Sequence, residues 1–544
     1  MKKIEYLIIV LGLLLMASCS DILETEPYSF TSPDNFYNSA KEAEIALNGV
    51  YHVLSNSNIQ GTGNQSTFSR NLGCMLVGGT DEMWTRNTYN NGGFSPFGVA
   101  GVTSDNPLLN ETWSNFYAGI NRANYLIEKL DGIDDFSGNR KGEMEGEARL
   151  LRGFYQMTLS MMFGGIPVYT TAIQDPLQER QSIQEVYAQV IADYEFAYNN
   201  LPDRATVLSH VNKWTAAGLL ARAHTYLASA KTSGLPDFGL AINSFDWVDA
   251  TQHYQKALTY TTAVISGSGY ELIPNYDNLF REGAKSRQYN ETLLAAEAST
   301  SSNMQVINML VQGFAAQGNT NVTGGSYGFF RPSGELYNKY NVADFRFTHN
   351  LTGNYGGALA NLGYETIDGI GYYIPNPLPG HPNIWTYSCG KYRGMDPSQK
   401  SIAGWANSIN YPLLRFADIL LLHAEAQYFT GNESGARNTF TIVRSRSVAD
   451  GYTVDDMNTA YFKADFVDEL LDERQRELCF EFLRRFDLAR FNKFDEAIES
   501  LSPDFGFYNT TVPTIKQNWK STRVWFPIPL QQIDLNVNLV PNPE

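Results

Sequence analysis

Between Leu413 and Arg446 an apolar residue recurs every three or four positions, with one break at Gly431-Asn432. Leu413, Phe416, Ala417, Leu420, Leu421, Ala424 and Tyr428 share one helical face, and Ala436, Phe440 and Val443 resume the period after the break. This 34-residue span has the length of a tetratricopeptide-like helix pair, which cannot bury its apolar face alone and must stack on further pairs.

Further helical stretches supply them. Ser39-Ala40-Lys41-Glu42 has capping-box spacing and opens a stripe at Ala43, Ala46, Leu47, Val50 and Leu54. A second box, Ser182 to Glu185, leads Val186, Tyr187, Val190 and Tyr194 along one face until Pro202. Helices are also expected at about 110–131, 143–163, 213–229 and 251–266. Ala217, Gly218 and Ala221 are small enough to admit a close partner helix.

The N-terminus begins differently. Lys2 and Lys3 precede an apolar stretch from Ile4 to Met16, interrupted only by Glu5, that is too short to span a bilayer and has the form of an export signal. It ends in Met16-Ala17-Ser18-Cys19, which resembles the lipobox of bacterial lipoproteins, so Cys19 is expected to carry acyl chains such as palmitate. Asp21, Glu24 and Glu26 then resemble a surface-export signal of Bacteroidetes-type bacteria. That favours an outer-membrane protein facing the exterior, held by lipid alone.

Forty Lys and Arg against 57 Asp and Glu give a net charge of −17, without the basic stripe that nucleic acid requires. Only Cys74, Cys389 and Cys479 remain once Cys19 is lipidated, with no CxxC or Cys/His pattern, so neither a disulfide framework nor a metal site is expected. No cofactor fingerprint, GxSxG, HExxH or P-loop stands in its required context, and the chain is expected not to be an enzyme. The charged run Glu473–Arg490, with Asp472–Arg476 and Glu481–Arg485 at i, i+4, has arginines dense enough to keep its carboxylates ionised, as do Arg415 with Asp418 and Glu147 with Arg149 and Arg152. These groups are expected to hold helices in register. His224 and His423 lie on helices and are expected as core or groove residues, and Trp113, Tyr117 and Trp214 as core.

Residues 301–400 hold a third of the 45 glycines, with many Asn, Tyr and Phe and little helical period. A shorter loop-like stretch covers 55–109. Sugar rings present flat C–H faces and a rim of hydroxyls, so a sugar site needs exposed aromatic platforms beside Asn, Asp, Gln or Arg. Trp84 with Asp81, Arg86, Asn87, Tyr89 and Asn90 has that chemistry, the alternative being that Trp84 plugs the core beneath the loop. Tyr327, Phe329 and Trp385 form a second candidate set, with Phe330 and Tyr387 beside them. Pattern alone does not say whether the two stretches meet.

Several segments in order resemble the SusD/RagB family: Pro33-Asp34-Asn35-Phe36-Tyr37, Asn121-Arg122-Ala123-Asn124, Gly146 to Tyr155, Phe163-Gly164-Gly165-Ile166-Pro167, Tyr411 to Leu421, Glu473 to Leu478 and Phe526-Pro527-Ile528-Pro529. Phe482-Leu483 departs from the pattern, standing where that family usually has a glycine. The resemblance implies a mostly α fold, a tetratricopeptide-like helical scaffold with an irregular, loop-rich ligand-binding part. It also implies capture of oligosaccharides, or of peptides in RagB-like branches, for delivery to a SusC-like TonB-dependent outer-membrane transporter. A surface hydrolase is the alternative of a different class. The chain divides into a signal peptide at 1–18, a lipidated tether at 19–35 and one domain at 36–544, with helical repeats around 36–266 and 410–495 and a loop-rich insertion around 270–405.

Overall fold

The computed structural model describes residues 36–55, 67–85, 93–281, 288–297, 330–352, 362–367, 370–375, 388–392, 409–502 and 511–544. Its first half is built from α1 (Ala40–Ser55), the short α2 (Leu72–Val77), the strand β1 (Met83–Thr85), α3 (Pro107–Lys129), α4 (Arg140–Phe163), α5 (Ile183–Asn200), α6 (Lys213–Thr232) and α7 (Ala250–Gly267). Ala43, Leu47, Val50 and Leu54 of α1 are buried, as its stripe requires. The Ser182 box closes in both directions, with Ser182 Oγ accepting from Glu185 N–H and Glu185 accepting from Ser182 N–H. At α1 only half the box forms: Ser39 Oγ accepts from Glu42 N–H, but the Glu42 carboxylate takes the Asn38 N–H instead.

The second half carries β2 (Thr292–Ala296), β3 (Phe330–Pro332), α8 (Gly334–Asn338), α9 (Phe345–Asn350), β4 (Leu351–Thr352), β5 (Leu362–Ile367), β6 (Ile370–Pro375), β7 (Ser388–Cys389) and β8 (Tyr411–Arg415). It continues with α10 (Phe416–Phe429), α11 (Glu433–Ser445), α12 (Val454–Tyr461), α13 (Phe466–Leu478), α14 (Arg484–Arg490) and α15 (Phe494–Ser500). The strands form two-stranded antiparallel pairs, β1–β3, β2–β8, β4–β7 and β5–β6.

Helices pack as consecutive pairs, α4 on α5, α6 on α7 and α10 on α11. Close approach falls where the small residues are: a Cβ on Gly218 would stand 2.8 Å from side-chain atoms of Ile419 and Leu414. The 34-residue unit differs from its expected form at the start. Leu413 lies in β8, not on a helix, because the wholly buried run Tyr411–Arg415 pairs with β2 and the helix begins only at Phe416. A short apolar run before a helix carries no period of its own, so strand and helix read alike there.

Trp113 and Trp214 are buried, and Tyr117, half-buried, donates to Pro167 O at 2.8 Å. His224 is buried against His253, with burial lowering its pKa to about 3, and His423 Nδ1 lies 2.9 Å from the Thr261 hydroxyl.

Buried ion pairs run through both halves, and Arg222 of α6 joins them by reaching Asp418 of α10 at 2.7 Å. Arg415 binds Glu291, Glu477 and Glu481 at 2.9, 2.6 and 2.7 Å. Arg346 binds Asp344, Glu473 and Glu477, each at 2.8 Å. Arg474 spans Asp418 and Asp487, and Arg152 holds Asp193. The expected i, i+4 pairs are not the ones formed. Asp472 turns to Lys339 and Lys463, Glu481 to Arg415 and Lys391, and Arg485 to the Arg523 and Val524 carbonyls. A buried charge is costly unless fully paired, so these side chains seek partners across elements instead of along one helix.

Candidate ligand site at the rim of the β1–β3 pair

The two loop-like stretches meet. Met83 pairs with Pro332, Trp84 with Arg331 and Thr85 with Phe330. The chain therefore leaves β1 toward Arg86 beside the point where it enters β3 from Phe329. Arg86, Asn87, Tyr89, Asn90, Tyr327, Phe329 and Trp385 themselves lie outside the described residues, as does Cys19.

The turn before β1 is set by close packing. A Cβ on Gly78 would stand 2.7 Å from Cys74 O and 2.8 Å from the Phe330 ring, and Gly79 has φ +71°. Thr80 Oγ donates to Val77 O at 2.8 Å and accepts from Glu82 N–H at 3.1 Å, which closes the turn. Ser333 then ties β3 to it, its N–H donating to Glu82 O at 2.9 Å and its hydroxyl to Asp81 O.

Asp81 and Trp84 are not laid open as a sugar platform would be. The Asp81 carboxylate accepts two hydrogen bonds from Arg484, at 2.7 and 2.5 Å, and is buried. Trp84 is only 1% exposed, so the indole offers neither face to solvent and occupies the core position that was the alternative. Met83 beside it is buried too, so β1 is covered on both faces where it pairs with β3 and the indole has no open side. Glu82, also buried, accepts from Phe480 N–H at 2.6 Å. Burial pushes its pKa up to about 8, against the lowering effect of that N–H, Arg484 and Lys391.

Beside this turn opens a polar cavity of about 610 Å³, framed by Asp81, α8, the end of α12 and one face of α13. At its mouth Phe462 is 61% exposed, with the Arg437 guanidinium 4.8 Å from the ring centroid. Within it, Lys339 and Lys463 each reach one oxygen of Asp472, both at 2.5 Å, which holds the Asp472 pKa below its usual range despite burial. Glu335 accepts from Ser502 N–H at 2.7 Å, and burial raises its pKa.

Asp81, Asp472 and Arg476 are singled out in the sequence for other roles, whereas Phe462, Lys339, Lys463 and Glu335 do not stand out in it. One signal could have led to them: Thr453-x-x-Asp456 is a capping box, closed in both directions, that fixes α12 and so places Phe462 at its C-terminal cap. Among the described residues no group of three or more His, Cys, Asp or Glu is placed to hold a metal ion. Cys74, Cys389 and Cys479 are buried free thiols, and no described helix is long and apolar enough to cross a membrane.

Comparisons with known proteins cover nearly the whole chain. A model of the SusD family matches residues 290–544, and one described as "Starch-binding associating with outer membrane" matches residues 23–227. A SusD-like protein of Formosa agariphila is 25% identical over 100% of this chain and 99% of its own length. The fold is that of a SusD homologue from Bacteroides thetaiotaomicron, with a TM-score of 0.71 at 19% identity over 94% of this chain and 98% of the other. It is also that of surface glycan-binding protein A from the same organism, solved in complex with laminarihexaose, with a TM-score of 0.68 at 18% identity over 93% and 100%. The helix pairs, the segments quoted from Phe36 to Pro529 and the two family matches agree in order along the sequence, and the chain belongs to the SusD/RagB family.

Proposed function

We propose that this protein is a cell-surface glycan receptor, lipid-anchored through Cys19 at the outer membrane, that binds oligosaccharides and passes them to a SusC-like TonB-dependent transporter. The observation that carries this reading is the β1–β3 pair, which joins the two loop-like stretches, 55–109 and 301–400, whose aromatic and amide residues are expected to bind sugar. Arg86, Asn87, Tyr89 and Asn90 follow directly from one strand, and Tyr327 and Phe329 lead directly into the other. Such side chains provide stacking faces and hydroxyl partners on a scaffold held rigid by paired helices. The laminarihexaose-bound relative of the same fold supports a saccharide ligand over a peptide.

Calorimetric titration of the purified mature protein with uncharged and charged oligosaccharides, and with peptide mixtures as a control, tests the reading. Saturable binding of at least one oligosaccharide is expected. Binding of peptides with no saccharide bound overturns it, as does release of reducing ends by the protein alone, which would reveal a hydrolase.

A further inference from the structure

We infer that the cavity between α8, α12 and α13 is a separate subsite for an uncharged sugar unit, with Phe462 as its stacking platform. The inference rests on the reading of the protein as a glycan receptor, but on different residues from the rim loops.

Three observations carry it. Phe462 is 61% exposed at the mouth of a cavity of about 610 Å³, within the range of roughly 300–1,000 Å³ typical of small-ligand sites. Aromatic area left in water at a concave polar site is what a C–H face of a pyranose would cover. The Arg437 guanidinium over the ring, 4.8 Å from its centroid, fixes the platform.

Donors line the same cavity. Each lysine ammonium has three N–H donors, and Lys339 and Lys463 each spend one on Asp472, which leaves two apiece for ligand oxygens. Asn341 Oδ1 accepts from Ala343 N–H, so its amide N–H groups, with the side chain of exposed Asn338, have no partner among the described residues.

Charge selects against anions. The lining carries Lys339, Lys463 and Arg476 against Asp81, Glu335 and Asp472, so the formal charges balance. The acids and bases are largely paired: Asp472 with both lysines, Arg476 with Glu473, and Asp81 with Arg484. A sulfate or uronate would have to pull a lysine from Asp472, whereas a hydroxyl can join the pair as it stands. The whole chain, at −17, repels polyanions as well.

The test uses the intact mature protein, with laminarihexaose, maltohexaose, cellohexaose and xylohexaose as uncharged probes and sulfated and uronate-bearing oligosaccharides as charged ones. For an uncharged probe that binds, Phe462→Ala should weaken affinity about tenfold and Asn338→Ala severalfold. Phe462→Tyr should keep it, and all three melting temperatures should stay near the parent's because both residues are exposed. Added salt should change the affinity little. If the parent binds an uncharged probe and Phe462→Ala binds it equally well, the subsite is refuted while the receptor reading stands. Salt-sensitive binding of charged probes alone refutes the uncharged selectivity of the cavity. Failure of every oligosaccharide to bind the parent overturns both.

Discussion

The Glu82 carboxyl sits beneath the rim, accepts from the Phe480 N–H and has no direct counter-ion among the described residues. Its pKa, pushed up by burial to about 8, lies above the value near 4.5 of the unfolded chain. The native state therefore keeps a proton that the unfolded state has released between those values. Stability from this group is full below about pH 4.5 and is lost as pH rises to about 8. Glu82→Gln keeps an acceptor for Phe480 and cannot titrate, so its unfolding free energy should fall less than the parent's across that window. One decade in proton affinity is about 1.4 kcal/mol, so the two curves should diverge by a few kcal/mol. Urea unfolding at several values of pH checks this, and parallel curves would refute the buried neutral carboxyl. Trp84, two positions on, should act through stability as well. Trp84→Ala leaves a cavity expected to cost about 3–5 kcal/mol, read as a lower denaturation midpoint. Lost affinity with unchanged stability would instead mean that the indole opens to ligand. Residue type alone could not rank Trp84 below Phe462 as a platform, because exposure is decided by which strand or helix end each occupies. The Phe482 departure was legible in a different way: Phe480 and Phe482 take φ of 64° and 66°, the left-handed region that favours the glycine expected there. The chain accepts that cost while burying both rings.

Helices and their starts could be read from the sequence because caps and apolar stripes are local; strand pairings and buried ion pairs could not. β1 and β3 are three residues each and lie far apart in sequence, too short for a period of two to register. The spacing of the α13 charges suggests i, i+4 pairs that hold helices in register, yet Glu469 through Glu477 are all buried and bind partners on β8, α9, α11 and α14 instead. Such a lattice is expected to fail when one member is removed. Arg415→Met would take one buried guanidinium partner from each of Glu291, Glu477 and Glu481 and should cost about 3–5 kcal/mol in chemical unfolding at neutral pH. Although burial opposes it, Arg446, Arg415 and Arg346 together hold the Glu477 carboxyl well below its ordinary value. A depressed carboxyl contributes stability above its unfolded value, near 4.5, and loses it as pH falls. The gap between parent and Arg415→Met should therefore narrow in acid. A gap independent of pH would show that Arg415 acts through packing of its stem and not through charge.

At the scale of the whole molecule, the family was legible from segments spread along the chain, whereas the meeting of its two loop stretches depends on a pairing that no local pattern announces. Membrane attachment belongs to this scale too. On the proposed reading, attachment comes from acyl chains on Cys19, with the transporter as a second contact. The 17 residues at 19–35 can span at most roughly 60 Å, which bounds how far the folded domain stands from an acyl anchor on Cys19. A receptor that delivers its ligand to a transporter needs that second contact. Two variables separate the attachments. Cys19→Ala, exported through an ordinary signal peptide, should leave the membrane fraction of cells lacking the transporter entirely, because acyl chains contribute about 0.8 kcal/mol per buried CH₂ and nothing replaces them. In cells that contain the transporter, part of the same variant should stay membrane-bound and co-purify with a β-barrel protein in mild detergent. Complete release in both strains would argue against a stable transporter complex. Full retention in both would instead argue against Cys19 as the anchor.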